Sequence, residues 1–169
     1  MKSKIVNSKN KYNRKIVYAV RKPNTFIAYP FDDLKIATVF CDQSRFNRDS
    51  IIKFDSKLER DRYLVLLTME RDGIISDLEM QVPFVLIPRI EYIERAISVG
   101  GGFKTAKRTN RETKYIADFT YTYLGEKIVE DTKSPITRKK SDFSIKKKLM
   151  QKEHGLCIKI VESKDLKRL

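Results

Sequence analysis

The sequence predicts a mixed α/β domain, and three local patterns carry that reading. A capping box, Ser56-Lys57-Leu58-Glu59, opens a helix. Tyr115 to Tyr123 alternates with the period of two that marks a strand. Gly125 then folds that strand back onto a second one, Lys127 to Lys133. From residue 56 the elements run helix, strand, strand, strand, helix, strand, a layered α/β arrangement.

Before that point, Lys15 to Val20 and Leu34 to Phe40 read as short strands, separated by Pro23, Pro30 and the Asp32-Asp33 pair. The helix behind Ser56 spans about residues 57 to 72, with apolar positions at Leu58, Val65, Leu66 and Met69, and Gly73 closes it. Gln81 to Ile87, rich in Val, Phe, Leu and Ile and stopped by Pro88, reads as a strand. Ile90 to Ser98 reads as a short helix, and Gly100-Gly101-Gly102 with the polar run to Thr113 as a mobile loop. The triple glycine lacks a Lys-Ser/Thr ending and a following helix signal, so it is a connector rather than a nucleotide loop.

In the alternating strand Tyr115, Ala117, Phe119, Tyr121 and Tyr123 share one face, and Ile116, Asp118, Thr120 and Thr122 the other. The aromatic face suits a core, with base stacking as the alternative. Ser141 or Asp142 caps a basic helix that runs to about His154 and ends at Gly155; Leu156 to Val161 supplies the last strand. His154, at that helix end, suits interaction with the helix dipole.

At 169 residues one domain is expected, burying about two-thirds of the surface of the unfolded chain. Cys41 and Cys157 are the two cysteines, far apart and without Cys-x-x-Cys or Cys/His spacing, which argues against zinc and against a disulfide framework. A reducing cytoplasm fits. Met1 to Asn10 is basic with no apolar stretch behind it, and no run of roughly 18 apolar residues occurs. A soluble, cytoplasmic protein without a membrane partner is expected.

Lys and Arg number 36 against 22 Asp and Glu, a net charge of 36 − 22 = +14. Such a field attracts polyanions, nucleic acid above all, with an anionic membrane surface or plain solubility as alternatives. The charge is segregated. Residues 1–22 hold eight bases and no acid, residues 133–152 eight bases against Asp142 alone, and residues 104–114 five against one. Residues 55–95 reverse the trend with nine acids against six bases. Segregation suits basic segments that grip phosphates while a few carboxylates are kept for metal or acid/base work.

A two-residue Gly125-Glu126 turn pairs residues whose numbers sum to 251, so that Asp118 faces Lys133 and Thr120 faces Asp131. Period-two alternation then puts Asp118, Asp131 and Lys133 on one side of the hairpin. A cross-strand salt-bridge cluster has this composition. So does a hard-cation site, in which Asp118, Asp131 and the Thr132 carbonyl bind Mg²⁺ while Lys133 orients or helps deprotonate an attacking water.

Tyr115-Ile116-Ala117-Asp118-Phe119, then Val129-Glu130-Asp131-Thr132-Lys133, preceded by Phe54 to Glu59 and by Ile75 to Gln81, resembles the PD-(D/E)xK nuclease superfamily. More closely, it is similar to small phage-encoded endonucleases of the Holliday-junction-resolvase-like type. The resemblance covers about residues 54–161, with Ala117 in place of the proline that names the motif. It implies a restriction-endonuclease-like αβββαβ core with a mixed central sheet flanked by helices, preceded by a basic extension (1–50) and carrying an inserted loop at about 89–114 within a core of 51–169.

The resemblance further implies that Asp118 and Asp131 ligate Mg²⁺, with Mn²⁺ as a substitute, that Lys133 is the catalytic lysine, and that Glu59 is a further acid at the site. Glu59 also has a local explanation as the capping-box glutamate bonding back to the Ser56 backbone. Gln81 is implied at metal-bound water or DNA, and Lys146 or Lys147 at phosphate; Arg138, Lys139 and Lys140 extend the basic DNA-binding set.

The expected activity is a metal-dependent DNA endonuclease on branched DNA, working as a homodimer in a bacterial host cytoplasm. A linear-duplex nuclease of restriction or transposition type and a non-catalytic nucleic-acid-binding protein on the same fold are the alternatives.

Overall fold

The structure, a computed structural model, describes residues 15–134 and 141–166. The chain forms two compact units, one of residues up to Leu78 together with those from Val161 onward, the other from Glu79 to Ile160.

In the first unit β1 (Val17–Arg21) is the middle strand of an antiparallel sheet, flanked by β2 (Ala28–Phe31) and β3 (Ile51–Phe54). Ala19 stands opposite Pro30 on one side and Ile52 on the other. Pro30 therefore lies on an edge strand, where a missing N–H breaks no inner ladder. Because β3 completes a sheet begun by β1, no boundary falls at 50/51.

Leu34 to Phe40 is not a strand. It belongs to α1 (Leu34–Gln43), whose N-cap Asp33 accepts hydrogen bonds from Lys35 N at 2.7 Å and Ile36 N at 3.3 Å. The β-branched Ile36, Thr38 and Val39 favour a strand locally. The carboxylate cap and the spacing of Ala37 and Cys41, which bury together against Val20, decide for a helix.

A single 3-10 turn, Arg48–Ser50, leads into β3. Next, α2 (Lys57–Arg71) starts as the capping box requires, Ser56 Oγ accepting from Glu59 N at 3.1 Å. The Glu59 carboxylate returns to Asp55 N at 3.2 Å, one residue ahead of the Ser56 backbone expected for it. Gly73, at φ +69°, ends the helix. The buried face of α2 centres on Tyr63, Leu66 and Leu67, with the Phe54 and Tyr63 rings 5.3 Å apart.

The second unit contains a four-stranded sheet and a separate hairpin. β4 (Ser76–Ile87) begins five residues before the predicted Gln81 and carries Pro83 within it. Ile90 to Ser98 is not a helix, and the residues behind it are not a loop. β5 (Ile90–Ile97) and β6 (Phe103–Asn110) pair antiparallel from Ile90↔Asn110 to Ile97↔Phe103. Ile90, Tyr92, Ile93, Thr105 and Thr109 carry β propensity. Gly101 and Gly102, at φ +83° and +85°, make a tight reversal where the triple glycine predicts a mobile loop.

The sheet order is β4, then β7 (Thr113–Tyr123), β8 (Glu126–Thr132) and β9 (Ile158–Val161). α3 (Ser141–His154) lays Phe143 and Met150 on a cluster of Phe84, Leu86, Tyr115, Ala117, Val129 and Ile158. His154 donates through Nε2 to the Val85 carbonyl at 2.9 Å and sets its ring edge against Phe84, which ties α3 to β4. A short α4 (Ser163–Leu166) follows β9 and belongs to the first unit. The protein is thus mixed α/β, and among the described residues no helix is long and apolar enough to cross a membrane.

Candidate active site

The β7–β8 turn decides the site. Its central residues are Leu124 (φ +49°) and Gly125 (φ +82°), with Tyr123 opposite Glu126. Positive φ at both centres matches the twist of a hairpin. Opposed residue numbers therefore sum to 249 rather than 251, and the ladder runs back to Phe119↔Glu130. A shift of two preserves side-chain parity, and one further step would set Asp118 opposite Asp131.

At that step the alternation of β7 breaks. Val129 opposes Thr120, yet it packs in the cluster that holds Tyr115 and Ala117. Tyr115 and Thr120 accordingly share a face, which an unbroken period of two forbids, and one residue between them is out of step as in a β-bulge. The expected common face of Tyr115, Ala117, Phe119 and Tyr121 is therefore split. Tyr121 instead donates its hydroxyl to Glu130 at 2.8 Å, and Lys159 stands 3.5 Å from the same carboxylate, which accounts for the complete burial of Glu130.

Asp118 lies at the break. Its Oδ2 accepts both the backbone N–H and the hydroxyl of Thr132, each at 2.7 Å, so a side chain takes a hydrogen bond next to the end of the ladder. Asp131 is 2% exposed; Tyr115 donates to its Oδ2 at 2.8 Å and the Lys133 ammonium is 2.8–2.9 Å from its oxygens. Lys133 Nζ also stands 4.7 Å from the centre of the Phe143 ring. Burial, then the charge of Asp131 and its hydrogen bond, and then the charge of Asp118, push the Tyr115 hydroxyl well above the ordinary tyrosine range. The two carboxylates thus act on one phenol.

Asp118, Asp131, Thr132 and Lys133 are brought together on β8 and the neighbouring part of β7. Glu59 lies in the first unit, where the Asp55 N–H engages its carboxylate. Gln81 is exposed on β4 with φ +54°. Lys146 is half-buried, three residues on from Phe143 along the packed side of α3, whereas Lys147 is exposed. Arg138, Lys139 and Lys140 lie outside the described residues.

Tyr115 and Phe143 are additions to the set that the sequence singles out. A tyrosine three positions before an aspartate carries no signal of contact with the next strand, because only the bulge turns it there.

The oxygen donors suit a hard cation. Two carboxylates and the Thr132 carbonyl are the ligand types that Mg²⁺ takes while keeping several waters. Among the described residues no group of three or more His, Cys, Asp or Glu side chains is arranged to hold a metal ion. Any cation here would draw the rest of its shell from carbonyl and water.

No curated protein and no solved structure matches the chain. One family does match, over residues 44–166, and its span takes in both candidate carboxylates, Lys133 and Tyr115. On that match, which covers most of its length, the chain belongs to the DUF1064 family, described as a protein of unknown function.

Proposed function

We propose that this protein is a divalent-cation-dependent endodeoxyribonuclease that hydrolyses phosphodiester bonds in branched DNA. The observation that supports the reading is the 2.8 Å pair of buried Asp131 with half-buried Lys133, beside Asp118, on a chain of net charge +14. Two carboxylates and one ammonium sum to a formal charge of −1, which would repel a phosphodiester. A divalent cation held by Asp118, Asp131 and the Thr132 carbonyl reverses that sign to +1. When bound, Mg²⁺ or Mn²⁺ supplies Lewis-acid stabilisation of phosphate oxygens and a more acidic water.

The chain's own groups do the rest. Lys133, steered by Asp131, presents a fixed positive charge that orients an attacking water and offsets charge on the phosphate. Tyr115 and Thr132 hold the two carboxylates in place, one each. Gln81 and Lys147 are exposed; their contact with DNA, the acidic role of Glu59, the branched substrate and a two-fold dimer rest on the resemblance to the PD-(D/E)xK nucleases.

A second reading, a non-catalytic nucleic-acid-binding protein, is favoured by one fact: hydrogen bonds already give each carboxylate a partner inside the fold.

The test is cleavage of an end-labelled four-way junction and a length-matched duplex, with Mg²⁺ or EDTA, by wild type, Asp118→Asn and Lys133→Met, with thermal melts to confirm folding. Junction cutting that needs Mg²⁺ and falls roughly 100-fold in both variants is the expected result. Equal cutting of the duplex makes the protein a linear-duplex nuclease. Tight binding of both substrates with no cutting under Mg²⁺ or Mn²⁺ replaces the enzyme with the binder.

A further inference from the structure

The β5–β6 ribbon is bare. Every residue of its two eight-residue strands is exposed, so it contributes no side chain to a core. An isolated two-stranded hairpin is marginal in water, and this one gains by lying against something. Its charge and shape identify the partner.

The acids of residues 89–114 are all ion-paired: Glu91 with Arg89 at 2.8 Å, Glu94 with Arg108 at 2.6 Å and Glu112 with Lys114 at 2.6 Å. Arg95, Lys104, Lys107 and Arg111 have no acid partner among the described residues, which leaves the segment a net positive element. Arg95 and Lys104 lie in the distal half of the ribbon and Lys107 at its middle. In the register, Lys107 stands opposite Ile93, Arg95 opposite Thr105 and Lys104 opposite Ala96. Alternation therefore sends Arg95 and Lys107 to one face and Lys104 to the other.

The tip is apolar. Ile97 and Phe103 form the last cross-strand pair, 80% and 76% exposed, and Val99 is fully exposed beyond them. Ser98 N–H to Gly102 O and Gly101 N–H to Ser98 O, both 3.0 Å, hold the reversal in shape.

From this we infer that the ribbon is a nucleic-acid grip, inserting into a groove of duplex DNA with its cations on the phosphates and its apolar tip against the bases. Two strands about 5 Å apart and roughly 27 Å long fit the major groove, about 12 Å wide. Cations on both faces suit an element with a phosphate wall on either side, whereas a flat anionic membrane meets one face only. An apolar tip between basic flanks is the composition of a wedge that enters a base step. The inference rests on the DNA reading for its ligand but uses none of the candidate active-site residues.

The probe is a fluorescein-labelled duplex of about 25 base pairs, with the affinity of the full chain followed against salt. The ribbon variant is Arg95→Gln/Lys104→Gln/Lys107→Gln; a control removes the same charge from exposed Lys22, Lys35 and Lys53. The ribbon variant should bind at least tenfold more weakly and reduce the slope of log K against log salt by roughly 2–3, about 0.9 per lost phosphate contact. The control should keep the wild-type slope, and Val99→Ser should weaken binding without changing it.

Equal slopes for ribbon variant and control overturn the proposal, and if the wild type still cuts DNA they overturn it alone. A ribbon-dependent slope in a protein that never cuts DNA supports the grip and removes only the nuclease. Two other occupants would overturn the grip: a second copy, if Val99→Ser dissociates a wild-type dimer in sedimentation and leaves DNA affinity intact; and a membrane, if the ribbon variant loses phosphatidylserine vesicles but not DNA.

Discussion

Tyr115 donates a 2.8 Å hydrogen bond to Asp131, on the adjacent strand and sixteen residues later in the chain. Both are nearly fully buried, so the bond satisfies a phenol and a carboxylate that have little access to water. The contact exists because β7 slips one residue out of step around Asp118. The two strands thereby exchange a support for each candidate carboxylate: Tyr115 of β7 for Asp131, and Thr132 of β8 for Asp118.

Tyr115→Phe should destabilise the protein by about 1–3 kcal/mol, the cost of leaving a buried acceptor with one fewer donor, measured by urea denaturation. The phenol itself should fail to ionise in the range of ordinary tyrosines. Its folded-state pKa is raised, so its contribution to stability is fully present below the unfolded tyrosine value and is lost as pH rises above it. An absorbance titration of native wild type and Tyr115→Phe should give equal phenolate amplitude until the wild type unfolds; a smaller amplitude in the variant before that point would refute the buried contact.

Ser56→Ala separates the two roles open to Glu59. Removing the hydroxyl that caps Glu59 N should cost about 1 kcal/mol of stability. Cleavage per folded molecule should not change, because the Glu59 carboxylate keeps its bond to Asp55 N. Glu59→Gln should abolish cutting at near-wild-type stability if the acid role implied by the nuclease resemblance operates. A Glu59→Gln protein that cuts normally would confine Glu59 to the helix start.

Asp32 should make the first unit acid-sensitive. The Arg60 guanidinium donates to its Oδ1 at 2.6 Å, and that hydrogen bond, with Lys57 and Lys15 nearby, holds its carboxyl below the usual range. A depressed folded pKa means that the stabilisation is present above the unfolded value, near 4, and is lost as pH falls through the folded one. Asp32→Asn should therefore lower stability at pH 6 and lose that deficit below pH 4. An unchanged deficit at low pH would show that the pair contributes nothing through its charge.

Much of this structure was legible where a single local rule dominates. The Ser56 cap, Gly73 and Gly155 delimit α2 and α3 because capping and left-handed backbone need only neighbouring residues. The β7–β8 hairpin followed from alternation and Gly125. Elsewhere local rules competed. Ile36, Thr38 and Val39 outweighed Asp33 on paper, but burial of Ala37 and Cys41 against Val20 is a tertiary term that no window of sequence contains. In residues 90–110 the triple glycine suggested looseness, although two left-handed glycines are what a tight reversal uses. Leu124 at positive φ was invisible for the opposite reason: leucine rarely adopts it, so Gly125-Glu126 was the turn the residues favoured. Within the site, parity survived the resulting two-residue shift, whereas the bulge that brings Tyr115 to Asp131 leaves no trace in residue types.

Pro83 lies in β4, the outer strand of its sheet, and two residues of that strand, Asp77 and Gln81, have left-handed backbone. A missing donor and two kinks make this margin a poor template for an incoming strand. At the opposite margin β9 offers only four residues. Two copies of the protein would therefore not zip together edge to edge through this four-stranded sheet, and any pairing that involves it must act through its side chains.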